Sequence, residues 1–237
     1  MIKVHKYGPA FGMPDASPFV TKVETYLRMT GQKYETVHSD VRKSPRSQLP
    51  YAEIDGKVVT DSSNIIDTLE ATRDAKLDAR LDAKERAVAW AFKAMLEEHF
   101  YFGVLFMRWG TDEGWSVFEP SLRDILARMG VPSLMRGMIS KRARQYTVGR
   151  TRTQGTGRKP RAEIVAGCQR DIDALSVELG DKPYLCGDTP TTYDATVYAF
   201  VAGALCPAFD NEVTRYAGGK ANLVAYAARI KEKYWQD

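Results

Sequence analysis

The chain opens on an alternation of apolar and polar residues, Ile2-Lys3-Val4-His5-Lys6-Tyr7, which predicts a strand. Gly8, Pro9, Gly12 and Pro14 then crowd into a loop. Ser17-Pro18 pairs an N-cap serine with a proline at the first helical position. Phe19, Val23, Tyr26 and Leu27 follow at helical spacing, and Gly31 ends the helix. Lys33–His38 predicts a second strand, with Tyr34 and Val37 as its apolar positions. Arg42–Pro50 is polar and carries two prolines. Tyr51–Ile54, the Asp55-Gly56 pair and Lys57–Thr60 read as a hairpin closed by a two-residue turn. Asp61-Ser62-Ser63 caps a helix over Asn64–Ala71. The order for residues 1–75 is therefore β-α-β, a loop, a hairpin and a helix.

Residues 72–84 are charged and alanine-rich, as suits a linker. From Lys84 the pattern turns helical, which predicts an all-helical second domain over residues 84–237. Val88, Phe92, Met95, His99, Phe102, Phe106 and Trp109 alternate steps of four and three, the mark of one buried face on a long helix. A further helix is expected over Val117–Met129. Residues 136–162 hold nine Lys or Arg and no acid, with glycines at 149, 155 and 157. That stretch reads as a solvated helix and loop surface, mobile near its glycines, or as a contact for acidic partners. Arg161–Leu179, the apolar run Thr191–Leu205 and Ala221–Tyr234 complete the helices, and Thr191 and Asp194 have capping-box spacing.

Composition narrows the class. The 237 residues are 44% hydrophobic and 27% charged, enough for a sizeable core. A net charge of +4 does not imply a nucleic-acid partner. Cys168, Cys186 and Cys206 show no C-x-x-C spacing, and an odd count argues against a disulfide framework. Met1–Lys6 is not a signal peptide, and Ala195–Phe209, broken by Pro207, is too short to span a bilayer. The expectation is a cytoplasmic protein with no membrane contact. His5, His38 and His99 are scattered without ligand spacing, so no metal site is expected.

Three segments could carry chemistry. A side chain at the N-cap of a helix, as Ser17 is, sits where backbone N–H groups converge and the dipole is positive. Such an environment lowers a thiol pKa from its usual value of ~8.5. Serine could donate a hydrogen bond to a ligand's thiolate there; a plain N-cap is the competing reading. Leu49-Pro50 precedes a strand, and a cis bond would turn the backbone of Leu49 toward a peptide ligand. The Asp61-Ser62 cap could bind a carboxylate through its N–H groups and an ammonium through Asp61, or merely cap its helix. Their order together describes a thioredoxin-like site for a peptide thiol.

At these residues the chain resembles glutathione transferases. Ser17-Pro18-Phe19 looks like the family's Cys- or Ser-containing segment opening the first helix. Leu49-Pro50 matches the family's cis-proline position, and Val59–Ile65 resembles its segment for the γ-glutamyl group. Thr191–Asp194 matches the capping box of its central C-terminal helix. A narrower resemblance, to the failed-axon-connection and metaxin-like branch, rests on Ser17–Met29 (SPFVTKVETYLRM) and Gly155–Asp194. The resemblance implies a thioredoxin-like α/β domain followed by an all-α domain, in a homodimer. It implies detoxifying conjugation of glutathione, as substrate, to a small hydrophobic electrophile. Glutathione would lie along Leu49 and Pro50 with its γ-glutamyl end at Asp61 and Ser62, its sulfur at Ser17. Tyr7 resembles the catalytic tyrosine of other classes and competes with Ser17. Phe11, Met107, Arg108 and Trp109 are the expected walls of the electrophile pocket, which His99 could join. The absence of a cysteine at position 17 argues against disulfide exchange. Some branch members are import or structural proteins, so a non-catalytic scaffold is the alternative. Unlike the metaxins, the chain is expected to carry no C-terminal anchor.

Overall fold

The apolar positions of the first strand and first helix close over one another. Ile2 and Val4 of β1 (Ile2–Lys6) pack on Val23, Tyr26 and Leu27 of α1 (Pro18–Met29). The computed structural model describes residues 1–74 and 76–236. β1 runs parallel to β2 (Glu35–His38) and antiparallel to β3 (Tyr51–Ile54), which pairs with β4 (Lys57–Thr60). The sheet order is β2-β1-β3-β4. β2 begins two residues later than the pattern suggested and is exposed throughout, as an edge strand can be. α2 (Ser62–Thr72) returns Ile65, Ile66 and Leu69 to the same core.

The 72–84 segment is no free tether. The Asp78 carboxylate accepts the Thr192 N–H at 2.8 Å and its hydroxyl at 2.6 Å. Leu81 is buried in the helical core. The expected domain limits at Ala75 and Asp237 fall on residues outside those described.

Beyond it, α3 (Ala83–Ala94) continues through a π-helical turn, Met95–Phe100, into α4 (Tyr101–Trp109). The buried stripe is Ala89, Leu96, Phe100, Gly103 and Met107, one residue out of step with the expected face. Val88 is 36% exposed, His99 is exposed, and Phe92, Met95, Phe102, Phe106 and Trp109 are half-buried. The offset already holds at Ala89, before the π turn, and is unchanged after it. The buried face runs through the small residues Ala89 and Gly103, where a Cβ on Gly103 would come within 2.3 Å of Cys168 Sγ, and a count of large apolar positions passes such residues over.

α5 (Asp112–Arg128) begins five residues before the expected helix, at the Thr111 cap. The basic stretch is the largest departure. It forms α6 (Ser133–Gln154), a 22-residue helix, and a 3-10 turn at Thr156–Arg158. Its buried positions are Ser140, Thr147 and Thr151, so it seats itself through small polar residues and leaves no apolar stripe. α7 (Arg161–Leu179) follows.

α8 (Thr192–Ala204) is the central helix, packed against α1 and against α10 (Ala221–Tyr234), with the short α9 (Glu212–Gly218) between. At its start the buried Asp194 carboxylate accepts the Thr191 N–H and hydroxyl at 2.8 Å each, the Leu185 N–H at 2.8 Å and the Tyr226 hydroxyl at 3.0 Å. Burial pushes this carboxyl pKa up and those donors pull it back. Among the described residues no helix is long and apolar enough to cross a membrane.

Candidate functional site

Ser17 owes its place to Asp15. One Asp15 oxygen accepts the Gly8 N–H at 2.6 Å and the other the Ser17 N–H at 2.9 Å. The carboxylate thus ties the loop after β1 to the start of α1. Burial pushes the Asp15 pKa up to about 7, against the pull of the two N–H donors and Lys6. Ser17 has extended backbone at the N-cap, Pro18 follows, and the serine hydroxyl makes no capping hydrogen bond. Ser17 borders open space at the positive end of α1.

The Leu49-Pro50 peptide is cis. Asp61 caps α2, its carboxylate accepting the Ser63 N–H at 2.8 Å and the Asn64 N–H at 3.4 Å. Its φ of 75° is one that residues other than glycine seldom adopt. Lys22 reaches the same cap from α1. Its Nζ, almost wholly buried, donates to Ser63 Oγ at 2.9 Å, Ser62 Oγ at 3.3 Å and Glu97 Oε1 at 2.6 Å.

A cleft of 310 Å³ is lined by Ser17, Leu49, Pro50, Asp61 and Ser62 together. The N-terminus of α1, the cis bend and the Asp-Ser cap therefore face one space. The π turn contributes Glu97 and Glu98, and Arg46 and Arg150 also reach it. Three carboxylates and two guanidinium groups thus surround the cleft, a set able to complement a zwitterionic chain.

Behind it lies a cavity of 180 Å³ with aromatic and aliphatic walls. Tyr7, Arg108 and Trp109 line it, with Phe100, Tyr101, Phe118, Ile125 and Phe200. Tyr7 borders the cavity alone, whereas Ser17 borders both spaces. Burial raises the Tyr7 phenol well above its ordinary pKa, Tyr101 and Asp15 add to the rise, and Arg150 opposes it. Tyr101 is raised too, by burial, with Arg150 and Arg108 opposing. Both phenols therefore keep their protons at neutral pH. Arg108 donates to the Gly203 carbonyl at 2.7 Å and lies over the Phe209 ring at 4.5 Å.

Two expected walls lie elsewhere. Phe11, at φ 59°, turns its ring onto Phe118 and Phe209, with centroids 5.0 and 4.9 Å away, and borders a separate groove between α1 and α10. Met107 belongs to the buried stripe of α4 and is 2% exposed in the helical core. His99 also lies outside the cavity, its Nδ1 2.6 Å from Asp171 Oδ2. Conversely, Lys22, Arg46, Glu97, Tyr101 and Arg150 were not anticipated. Lys22 could have been suspected as a lone cation among the apolar positions of α1. Nothing local in the sequence marks the others, because the topology alone gathers them.

Residues 18–114 match the model of the glutathione S-transferase N-terminal domain, and residues 168–230 that of the glutathione S-transferase C-terminal domain. The isoprene-epoxide–glutathione S-transferase of Rhodococcus sp. is 36% identical over 99% of both chains. The Failed axon connections protein of Drosophila melanogaster is 32% identical over 95% of this chain and 56% of its own length. Metaxin-2 of Homo sapiens is 24% identical over 82% of this chain and 72% of its own. Among solved structures, a beta-etherase from Sphingobium superposes with a TM-score of 0.63 at 19% identity, covering 100% of this chain and 99% of that one. A glutathione S-transferase of Methylobacterium radiotolerans, in complex with glutathione sulfonate, gives 0.59 at 18% identity over 97% and 90%.

Proposed function

Because this chain belongs to the glutathione S-transferase family, we propose that it conjugates glutathione to a small, largely apolar electrophile. One observation carries the reading: Ser17, the Leu49-Pro50 bend and the Asp61-Ser62 cap line a single cleft. Glutathione brings one ammonium and two carboxylates, which suit Asp61, the α2 N–H groups and Arg46. Its backbone runs along Leu49, and its sulfur reaches Ser17, where a hydroxyl and the α1 dipole favour the thiolate.

The electrophile occupies the adjoining cavity, whose 180 Å³ suits a molecule of few heavy atoms. An epoxide, the substrate class named for the Rhodococcus relative, fits that size and polarity. The thiolate pair forms the C–S bond as the C–O bond breaks onto oxygen. That oxygen then takes the proton of the Tyr7 hydroxyl, which solvent restores. We place the enzyme in the cytoplasm as a homodimer; Trp90, 60% exposed on α3, is one apolar group such pairing would cover.

The test is Ser17→Ala. Bound glutathione should lose acidity while its affinity changes little. An equal thiol pKa in mutant and parent complexes removes the role given to Ser17. The alternative, a scaffold without catalysis, predicts no glutathione binding by calorimetry at millimolar ligand.

A further inference from the structure

The cleft and the cavity meet at three shared residues: Ser17, Tyr101 and Arg150. Arg150 is the cation of the three. It comes from the basic stretch, whose charge the proposed conjugation does not otherwise use. Elsewhere on α6, Lys141, Arg142 and Arg152 are exposed, whereas Arg150 is partly buried. Its backbone is held firmly. Thr147 and Thr151, on either side, are buried positions of α6, and Thr151 Oγ1 lies where a Cβ on Gly157 would come within 2.3 Å. The helix therefore presents Arg150 to the junction from a fixed base.

We infer that Arg150 is a catalytic residue, its guanidinium stabilising the sulfur of bound glutathione as the thiolate beside Ser17. This rests on the placement of glutathione proposed above. The electrostatics of the cleft call for such a cation. Asp61, Glu97 and Glu98 line the same space and disfavour another anion, and Lys22 is already engaged by Glu97. A serine hydroxyl offers one neutral hydrogen bond, and a charge-assisted one is roughly twice as strong. A cation within ~4–6 Å lowers the pKa of a group that ionises to an anion by about 1–3 units. The opposing pull of Arg150 on the phenols of both Tyr7 and Tyr101 agrees with its position between them.

The experiment titrates the ultraviolet absorbance of the thiolate in the glutathione complex, with calorimetry on the same samples. Arg150→Gln should raise the thiol pKa by about one unit or more. Arg150→Lys should recover most of the shift, and Arg142→Gln, which removes a solvent-facing charge of the same helix, should show none. Arg150→Met keeps the apolar stem and should repeat the Arg150→Gln result should the amide perturb folding. Glutathione bound by the glutamine or methionine variant with parental thiol pKa overturns the assignment, whether or not affinity falls; a fall in affinity alone means that Arg150 holds a carboxylate. A parent chain that binds no glutathione overturns the conjugation reading itself, and this role with it.

Discussion

Lys22 Nζ lies 2.6 Å from Glu97 Oε1, so a buried ion pair joins the first helix to the π turn of the helical domain. Burial pushes the Lys22 pKa down and Glu97 pulls it back. The same ammonium holds the hydroxyls of Ser62 and Ser63, so the pair also braces the cap of α2. Lys22→Met strands the Glu97 carboxylate in a poorly solvated place. Breaking such a pair costs about 3–5 kcal/mol. Lys93 Nζ, 3.5 Å from Glu97 Oε2, and the Thr196 hydroxyl offer partial replacement, which favours the lower end. Urea unfolding should show that loss, and the folded variant should bind glutathione more weakly. A loss near zero would mean that the pair is dispensable.

Asp15 gives stability a pH dependence of uncommon sign. Its folded pKa, about 7, lies above the unfolded value near 3.8. Between those values the folded chain binds more protons than the unfolded one, so this group's contribution falls as pH rises from about 4 to 7. Asp15→Asn should flatten that part of the stability–pH curve, even though an amide cannot accept both the Gly8 and Ser17 N–H groups. Identical slopes for the two proteins over that range would rule the titration out.

Tyr7 and Ser17 are separated by where they stand. Ser17 borders the cleft and the cavity, and Tyr7 the cavity alone. A phenol that burial holds protonated can donate to an oxyanion but cannot serve as a base at neutral pH. Tyr7→Phe should therefore leave the thiol pKa of bound glutathione unchanged and lower kcat for an epoxide by about 100-fold, the low end of general acid catalysis. Pre-steady-state turnover with a small epoxide reads the second effect. A thiol pKa raised in Tyr7→Phe would move Tyr7 to the sulfur and leave this division of roles untenable.

The thioredoxin-like half was legible because its signals are local. A serine before proline, an Asp-Gly turn and an Asp-Ser cap each fix backbone over a few residues, and β1, α1, the hairpin and α2 follow from them. The helical half was legible only where apolar stripes were clean, as in α7 and α10. The buried face of the α3–α4 run passes through the small residues Ala89 and Gly103, which an apolar stripe skips, so the face was set one residue off and Met107 was misplaced. α6 was obscured by its content, since Ser140, Thr147 and Thr151 bury themselves without an apolar signature and Gly149 reads as a breaker. α9, capped by Asn211, is seven residues long and gives a period little room to show. The cavity wall was half legible: Arg108 and Trp109 border it, but their neighbours Phe118, Ile125 and Phe200 come from helices whose packing no spacing encodes.

The turn between α4 and α5 sets that wall, and Gly114 sets the turn. A Cβ at Gly114 would lie 1.9 Å from the Met107 carbonyl oxygen and 2.9 Å from the Arg108 Cα, both backbone atoms. The Thr111 hydroxyl fastens the corner by accepting the Gly114 N–H at 3.1 Å and donating to the Met107 carbonyl at 2.7 Å. Gly114→Ala must push α5 away from α4, an overpacking that costs about 1–3 kcal/mol. The movement carries Trp109 and Phe118, whose ring centroids are 4.3 Å apart, out of register at the cavity. KM for the electrophile should rise while glutathione affinity, set across the cleft by α1 and α2, holds. Gly149 provides the contrast, because a Cβ there meets nothing within 4 Å and its φ is not in the left-handed region. Gly149→Ala should stabilise the chain by about 0.8–1 kcal/mol through helix propensity. Thermal unfolding of the two variants should therefore shift in opposite directions, and a Gly114→Ala protein as stable as the parent would show that the α4–α5 corner has slack these distances deny.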